Sequence, residues 1–295
     1  MLVALPYFMV FILRPDRADA VAGIDRSFCQ KMMKWLWLAL ILEAVSGFLW
    51  FWFVTAQMSD QSPWGILDAG NLQTVLGQTQ FGQLWLGRAA LGIALGVALY
   101  FVARGRTLLL PQPSYLNRLF LVLGVLLLIA LAWAGHASAG IHHHVLHLVA
   151  DMLHLLLGAV WPTGLIPLSL FLWHTHRADQ KMPPDREIKV LQRFSQISLG
   201  AVLVLVVTGA INSWLMLSSW EDLVTTAYGS LLLAKVSIVG TMIGLGAVNR
   251  LFLLPRLQAE PSLLRALRRT ILAESALALA VLVIVGIMGM TSPPS

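Results

Sequence analysis

The chain gathers its metal-ligating side chains into one stretch, Gly135-His136-Ala137-Ser138-Ala139-Gly140-Ile141-His142-His143-His144-Val145-Leu146-His147-Leu148-Val149-Ala150-Asp151-Met152-Leu153-His154; of its eight histidines only His174 and His176 lie elsewhere. At the helical period, His144, His147, Asp151 and His154 fall within an arc of roughly 80°, so one helix face carries imidazoles and a carboxylate in a row. Imidazole suits copper, zinc, iron and nickel, and the stripe therefore defines a class of metals. Thioether sulfur would narrow that class toward Cu(I). Met216, Met288 and Met290 lie at helix ends on the same predicted side as the histidines, although methionine also serves as ordinary core filler.

The elements that must position this stripe are membrane helices. Hydrophobic residues make up 58% of the chain and charged residues 12%, with a mean hydropathy of +0.78, against about 25% charged in a soluble domain. Apolar runs long enough to cross about 30 Å of hydrocarbon are centred on residues 35–54, 83–103, 118–134, 145–173, 194–217, 228–252 and 270–290. Met1 to Leu13 is apolar but short, lacks the features of a signal peptide, and reads as an abbreviated first helix. The expectation is an all-α, polytopic bundle of eight transmembrane helices, forming a single domain over 1–295.

Loop charges orient it. Lys and Arg concentrate at 14–34, 104–118, 177–193 and 250–269, in alternate loops, while the intervening loops lack them. The positive-inside rule places these basic loops in the cytoplasm and both termini on the other side. The pI of about 9.9 then follows from topology and calls for no nucleic-acid partner. The outer loops carry Asp60, Asp68, Glu221 and Asp222, which favour cations weakly at physiological salt. The loop at 55–81 is long and could lie along the interface as a partial lid. No G-x-x-x-x-G-K-[ST] phosphate loop occurs and Cys29 is the sole cysteine, which excludes a nucleotide-driven pump, a CxxC metal motif and an intramolecular disulfide.

In this topology the histidines begin at the outer boundary, and His154 lies roughly 13 to 15 Å deep. Asp at such depth costs about 2.5–3.5 kcal/mol on insertion scales and needs a partner. Arg88 and Lys235, at similar depth on other helices, could form a structural ion pair with Asp151; alternatively Asp151 orients a liganding imidazole. His136, at the end of the preceding helix, can meet the start of the histidine helix. His174 and His176, at the inner end of the same helix, fit either an exit site or interfacial positions, the latter being the expectation. Glu43 and Glu274 lie nearer the opposite face, where structural pairing or continuation of a path would each account for them.

The chain resembles the CopD-type copper resistance and copper transport membrane proteins of bacteria from the second helix onward. The resemblance is carried by Gly135-His136-Ala137, by His147-x3-Asp151-x2-His154 with Trp161-Pro162-Thr163-Gly164, and by Arg193-Phe194-Ser195. Thr208-Gly209-Ala210-Ile211-Asn212, Tyr228-Gly229-Ser230-Leu231-Leu232-Leu233-Ala234-Lys235 and Asn249-Arg250 with Pro255 follow in order. It implies a multi-pass protein of the bacterial inner membrane that handles copper ions, Cu(I) or Cu(II), arriving from the periplasm, often beside a small periplasmic copper-binding protein of the CopC type. Carried over by position, His136, His147, Asp151 and His154 match the family's polar membrane residues, with Asn212 and Lys235 as companions.

The expected function is transport of copper toward the cytoplasm, without enzymatic chemistry. Copper is captured at His142, His143 and His144 with His136, passes to His147, and reaches His154 with Asp151 in support; Met216, Met288 or Met290 supply sulfur. Binding needs neutral imidazole, so affinity should fall as pH drops through the ordinary histidine range. A b-type haem electron carrier is the alternative of another class. It requires axial histidines on two facing helices, whereas the deep histidines here share one. A copper-binding sensor or assembly factor is the third reading.

Overall fold

The computed structural model describes residues 1–13, 26–62, 64, 69–104, 115–133, 144–177, 184–291 and 294. His136, His142 and His143 lie outside these residues, and of His144 the backbone is described but not the side chain. Every element among the described residues is helical. In chain order they are α1 (Ala4–Tyr7), running into a π-turn (Phe8–Ile12), α2 (Arg26–Met58), α3 (Ala69–Gln78), α4 (Gln80–Arg104), α5 (Tyr115–Trp133) and α6 (His144–Val160). There follow α7 (Leu165–Arg177), α8 (Pro184–Met216), α9 (Asp222–Thr225), α10 (Ala227–Val248) with a π-turn at Asn249–Leu253, and α11 (Leu263–Met288).

Among the described residues six stretches are long and apolar enough to cross a membrane: Gln30–Met58, Gln80–Arg104, Val145–His176, Arg186–Met216, Ala227–Arg256 and Leu263–Met288. Arg118–Trp133 is a shorter apolar helix. The first segment is shorter still, well below the ~20 residues of a full crossing. Its Leu5, Phe8, Met9 and Ile12 are buried within protein, which explains why so short a segment is apolar on all sides. The loop at 55–81 contains helix α3, with Trp64 largely exposed before it.

The stretch Val145–His176 is one span broken between α6 and α7 by Trp161-Pro162-Thr163-Gly164. Pro162 has no amide to donate, and the turn is closed by Thr163 N–H to Gly158 O (3.1 Å) and Leu165 N–H to Trp161 O (3.2 Å). A Cβ on Gly164 would run into the Val160 carbonyl.

The chain forms two compact units, Met1–Val10 with Arg14–His144, and Phe11–Leu13 with Val145–Ser295. In the first, α4 packs on α2, α3 and α5. Trp85 donates from Nε1 to Gly47 O (2.8 Å), and Trp50, Phe51 and Phe81 pack their rings beside it. Arg88 reaches Glu43 through Nη2 (3.1 Å) and the Leu127 carbonyl through Nη1 (3.0 Å). In the second unit α11 packs on α10 and α7, and Ser275 Oγ ties α11 to Ser169 Oγ (2.7 Å) and Leu165 O (3.2 Å).

The two units are built on a common local plan. Thr79-Gln80-Phe81-Gly82 opens α4 and Thr226-Ala227-Tyr228-Gly229 opens α10. In both, the Thr hydroxyl donates to a carbonyl four residues earlier (Val75 O and Asp222 O, each 2.6 Å) and accepts from the Gly amide (each 2.9 Å). A Cβ on either glycine would collide with that same carbonyl. Arg88 and Lys235 follow at the same distance along their helices. Val45-Ser46-Gly47 in α2 likewise matches Val207-Thr208-Gly209 in α8.

Thr226→Ala removes the cap of α10 and should cost about 1 kcal/mol. Gly229→Ala should cost more, because backbone must move. Unfolding of the two variants in one detergent tests that order.

Candidate metal centre

The site is built where α6 lies against α8. His154 Nδ1 is 3.0 Å from Thr208 Oγ1, and Thr208 Oγ1 donates to Val204 O (2.8 Å) in its own helix. A hydroxyl has one proton. With that proton directed at the carbonyl, Oγ1 accepts from Nδ1–H, and His154 Nε2 carries the lone pair that a metal requires. Gly209 makes the approach feasible: a Cβ there would lie 3.2 Å from His154 Cε1.

One turn toward the histidine-rich end, Asn212 Nδ2 donates to Asp151 Oδ1 at 3.4 Å, a long contact. Asn212 Oδ1 is buried and lacks a hydrogen-bond partner among the described residues, an acceptor left facing the same neighbourhood. The Asp151 carboxylate lies in the fields of His147 and Lys235, and Lys235 also acts on His154. Of the two cations the sequence offers to Asp151, Lys235 therefore acts on it, while Arg88 is engaged by Glu43 and Leu127.

Because α6 and α8 run antiparallel, His147 (one turn from Asp151 toward the histidine-rich end) stands about level with Met216 (one turn from Asn212 in the same direction), some 6 Å farther along. Tyr228 OH donates to Met216 Sδ at 3.1 Å. Tyr228, Leu232 and Met288 form a buried cluster against which Met216 packs. The structure thus brings Met216 and Met288 together. It leaves Met290 82% exposed and outside that cluster.

Among the described residues no three His, Cys, Asp or Glu side chains converge on one point. His147, Asp151 and His154 follow one another along α6, and their partners come from α8 and α10. Thr208, Gly209 and Tyr228 had no assigned role in the sequence. The available signal was spacing: Thr208 and Asn212 at i, i+4 mirror His154 and Asp151 on the opposing helix.

Two family models match the chain: "Copper resistance protein D-like, N-terminal domain" over residues 2–145 and "Copper resistance protein D" over 188–288. The chain is similar to copper transport protein CutJ of Bacillus subtilis, 30% identical over 78% of this chain and 41% of the relative. It is also similar to inner membrane protein YebZ of Escherichia coli, 30% identical over 67% of this chain and 63% of the relative, so it spans less than two thirds of either protein. Copper resistance protein D of Pseudomonas syringae is 28% identical over 99% of this chain and 92% of its own length. No solved structure matches.

Thr208→Val removes the acceptor for Nδ1–H and should cost about 1 kcal/mol. In nitrogen-15 NMR of the metal-free protein, His154 should be an Nδ1–H tautomer in the wild type and in Thr208→Ser, and a mixture in Thr208→Val.

Proposed function

The chain belongs to the copper resistance protein D family, and we propose that it carries copper across the bacterial inner membrane, from periplasm to cytoplasm, as a transporter and not an enzyme. It is a multi-pass inner-membrane protein, and two of its relatives bear the names of a copper transport and a copper resistance protein, a third that of an inner membrane protein. Copper is cargo. His136 and His142 to His144 receive it, His147 takes it at the level of Met216 and Met288, and His154 Nε2 binds it deeper, beside Asp151 and Asn212. A small periplasmic copper-binding protein of the CopC type is the proposed donor.

The single observation that supports this reading best is the arrangement around His154. His154 Nδ1 lies 3.0 Å from Thr208 Oγ1, whose own proton has the Val204 carbonyl as acceptor, an arrangement that favours a lone pair on Nε2, and a carboxylate and an unpartnered amide oxygen lie one turn away. Thioethers at the next level favour Cu(I), the softer state. An ionised Asp151 would offset part of the cost of a cation at this depth.

Copper uptake into proteoliposomes should fall at least about tenfold in His154→Ala and Asp151→Asn, the equivalent of about 1.4 kcal/mol. The Met216→Leu, Met288→Leu double variant should slow Cu(I) uptake. Met290→Leu should leave it within about twofold, since Met290 is outside the sulfur cluster. Wild-type uptake by folded His154→Ala protein would end the reading.

A further inference from the structure

The second unit contains another place where polar groups meet open space. A cavity of about 410 Å³ lies among α7, α8, α10 and α11, walled by apolar residues such as Leu168, Phe194 and Ile271. Its polar lining consists of Ser195, Ser198, Asn249, Arg250 and Glu274. These include two family blocks, Arg193-Phe194-Ser195 and Asn249-Arg250, that the copper path leaves without a task.

The cavity residues are connected in a definite order. Arg250 Nη1 donates to Ser195 O (2.8 Å) and Ser195 Oγ (2.9 Å), bridging α10 to α8. Asn249 Nδ2 donates to Glu274 Oε1 (2.5 Å), and Asn249 Oδ1 accepts from Thr270 Oγ1 (2.5 Å). Asn249 begins the π-turn of α10, and such turns frequently occur at functional sites. Glu274 is 2% exposed. Its Oε2 has no hydrogen-bond partner among the described residues, and the position a Cβ would take on Gly246 is 3.6 Å from it. Gly246 therefore leaves Oε2 open to the cavity.

Glu274 differs in kind from the other carboxylates of the spanning helices. Glu43 has a guanidinium at 3.1 Å and Asp151 lies in the fields of His147 and Lys235, whereas the bonded partner of Glu274 is a neutral amide. Among the described residues Arg250 is the only other charged residue lining the cavity, and it is directed to Ser195. The elements packed against Glu274 otherwise present Ser169 from α7, Ser195 and Ser198 from α8, and Asn249 from α10. An ionised carboxylate without a counter-charge in an apolar surround is costly, and membrane carboxyls of this sort mark proton relays.

We propose that Glu274 is a proton-binding site, separate from the copper ligands, which takes a proton from water entering the cavity and returns it by the same route. The proton passes from hydronium to Oε2, leaving water, and the reverse step restores hydronium; no other atom changes partner. The cavity lies in the half of the unit that bears Arg256, Arg265, Arg268 and Arg269, the end the positive-inside rule assigns to the cytoplasm.

Dicyclohexylcarbodiimide, an apolar reagent that reacts with protonated carboxyls, tests this in the wild-type protein in detergent. Peptide mass spectrometry should find an adduct on Glu274 that declines as pH rises, with less on Glu43, whose carboxylate is held by Arg88 Nη2 at 3.1 Å. Gly246→Leu, which covers Oε2, should lose the adduct while retaining the carboxyl. Absence of a Glu274 adduct at every pH, or equal modification of Glu43, would overturn the proposal. Neither result depends on whether the protein moves copper.

Discussion

Hydrocarbon admits a carboxylate readily only where another group answers its charge, and the architecture follows from how this is done at Glu43 and Asp151 and left undone at Glu274. In the first unit Arg88 neutralises Glu43 and also holds the Leu127 carbonyl, so one guanidinium joins α2, α4 and α5. In the second, Lys235 occupies the position equivalent to Arg88, but the carboxylate it acts on is Asp151 from α6. The same device that closes one unit thus becomes, in the other, part of a polar site. Glu274 has neither cation, only an amide and a cavity.

The helices around Asp151 pair some polar atoms and leave Asn212 Oδ1 buried without a partner among the described residues. Thr208 bonds its own helix and the His154 ring, Gly209 removes the side chain that would hold the ring away, and Asn212 reaches the carboxylate. The break at Trp161-Pro162-Thr163-Gly164 ends α6 just beyond His154 and lets α7 pack separately on α11. Histidine geometry is therefore determined largely by the helix opposite. A cation arriving at Asp151 meets Lys235 as a competitor, so binding must weaken or displace that attraction.

Much of this was legible in the sequence because the signals are local. The stripe of His147, Asp151 and His154 follows from helical spacing, and the apolar runs identify the long helices. Spanning length failed as a guide for Met1 to Leu13, because an apolar segment buried in protein has the same composition as one facing lipid. The contacts of Thr208, Gly209 and Tyr228 are pairings between helices distant in sequence, and single-chain periodicity contains no register between helices. The correspondence of Thr79 to Arg88 with Thr226 to Lys235 was present in the letters, but hydrophobic similarity among all membrane helices obscures it. The grouping of Met216 with Met288 and not Met290 likewise depends on where α11 ends.

X-ray absorption at the copper edge, on protein loaded with Cu(I), bears most directly on a His154-centred site. An imidazole nitrogen shell with sulfur beside it is expected, and His154→Ala should lose imidazole scattering while the fold is retained. An unchanged copper spectrum in that variant, or a wild-type protein that retains no copper, would contradict the assignment.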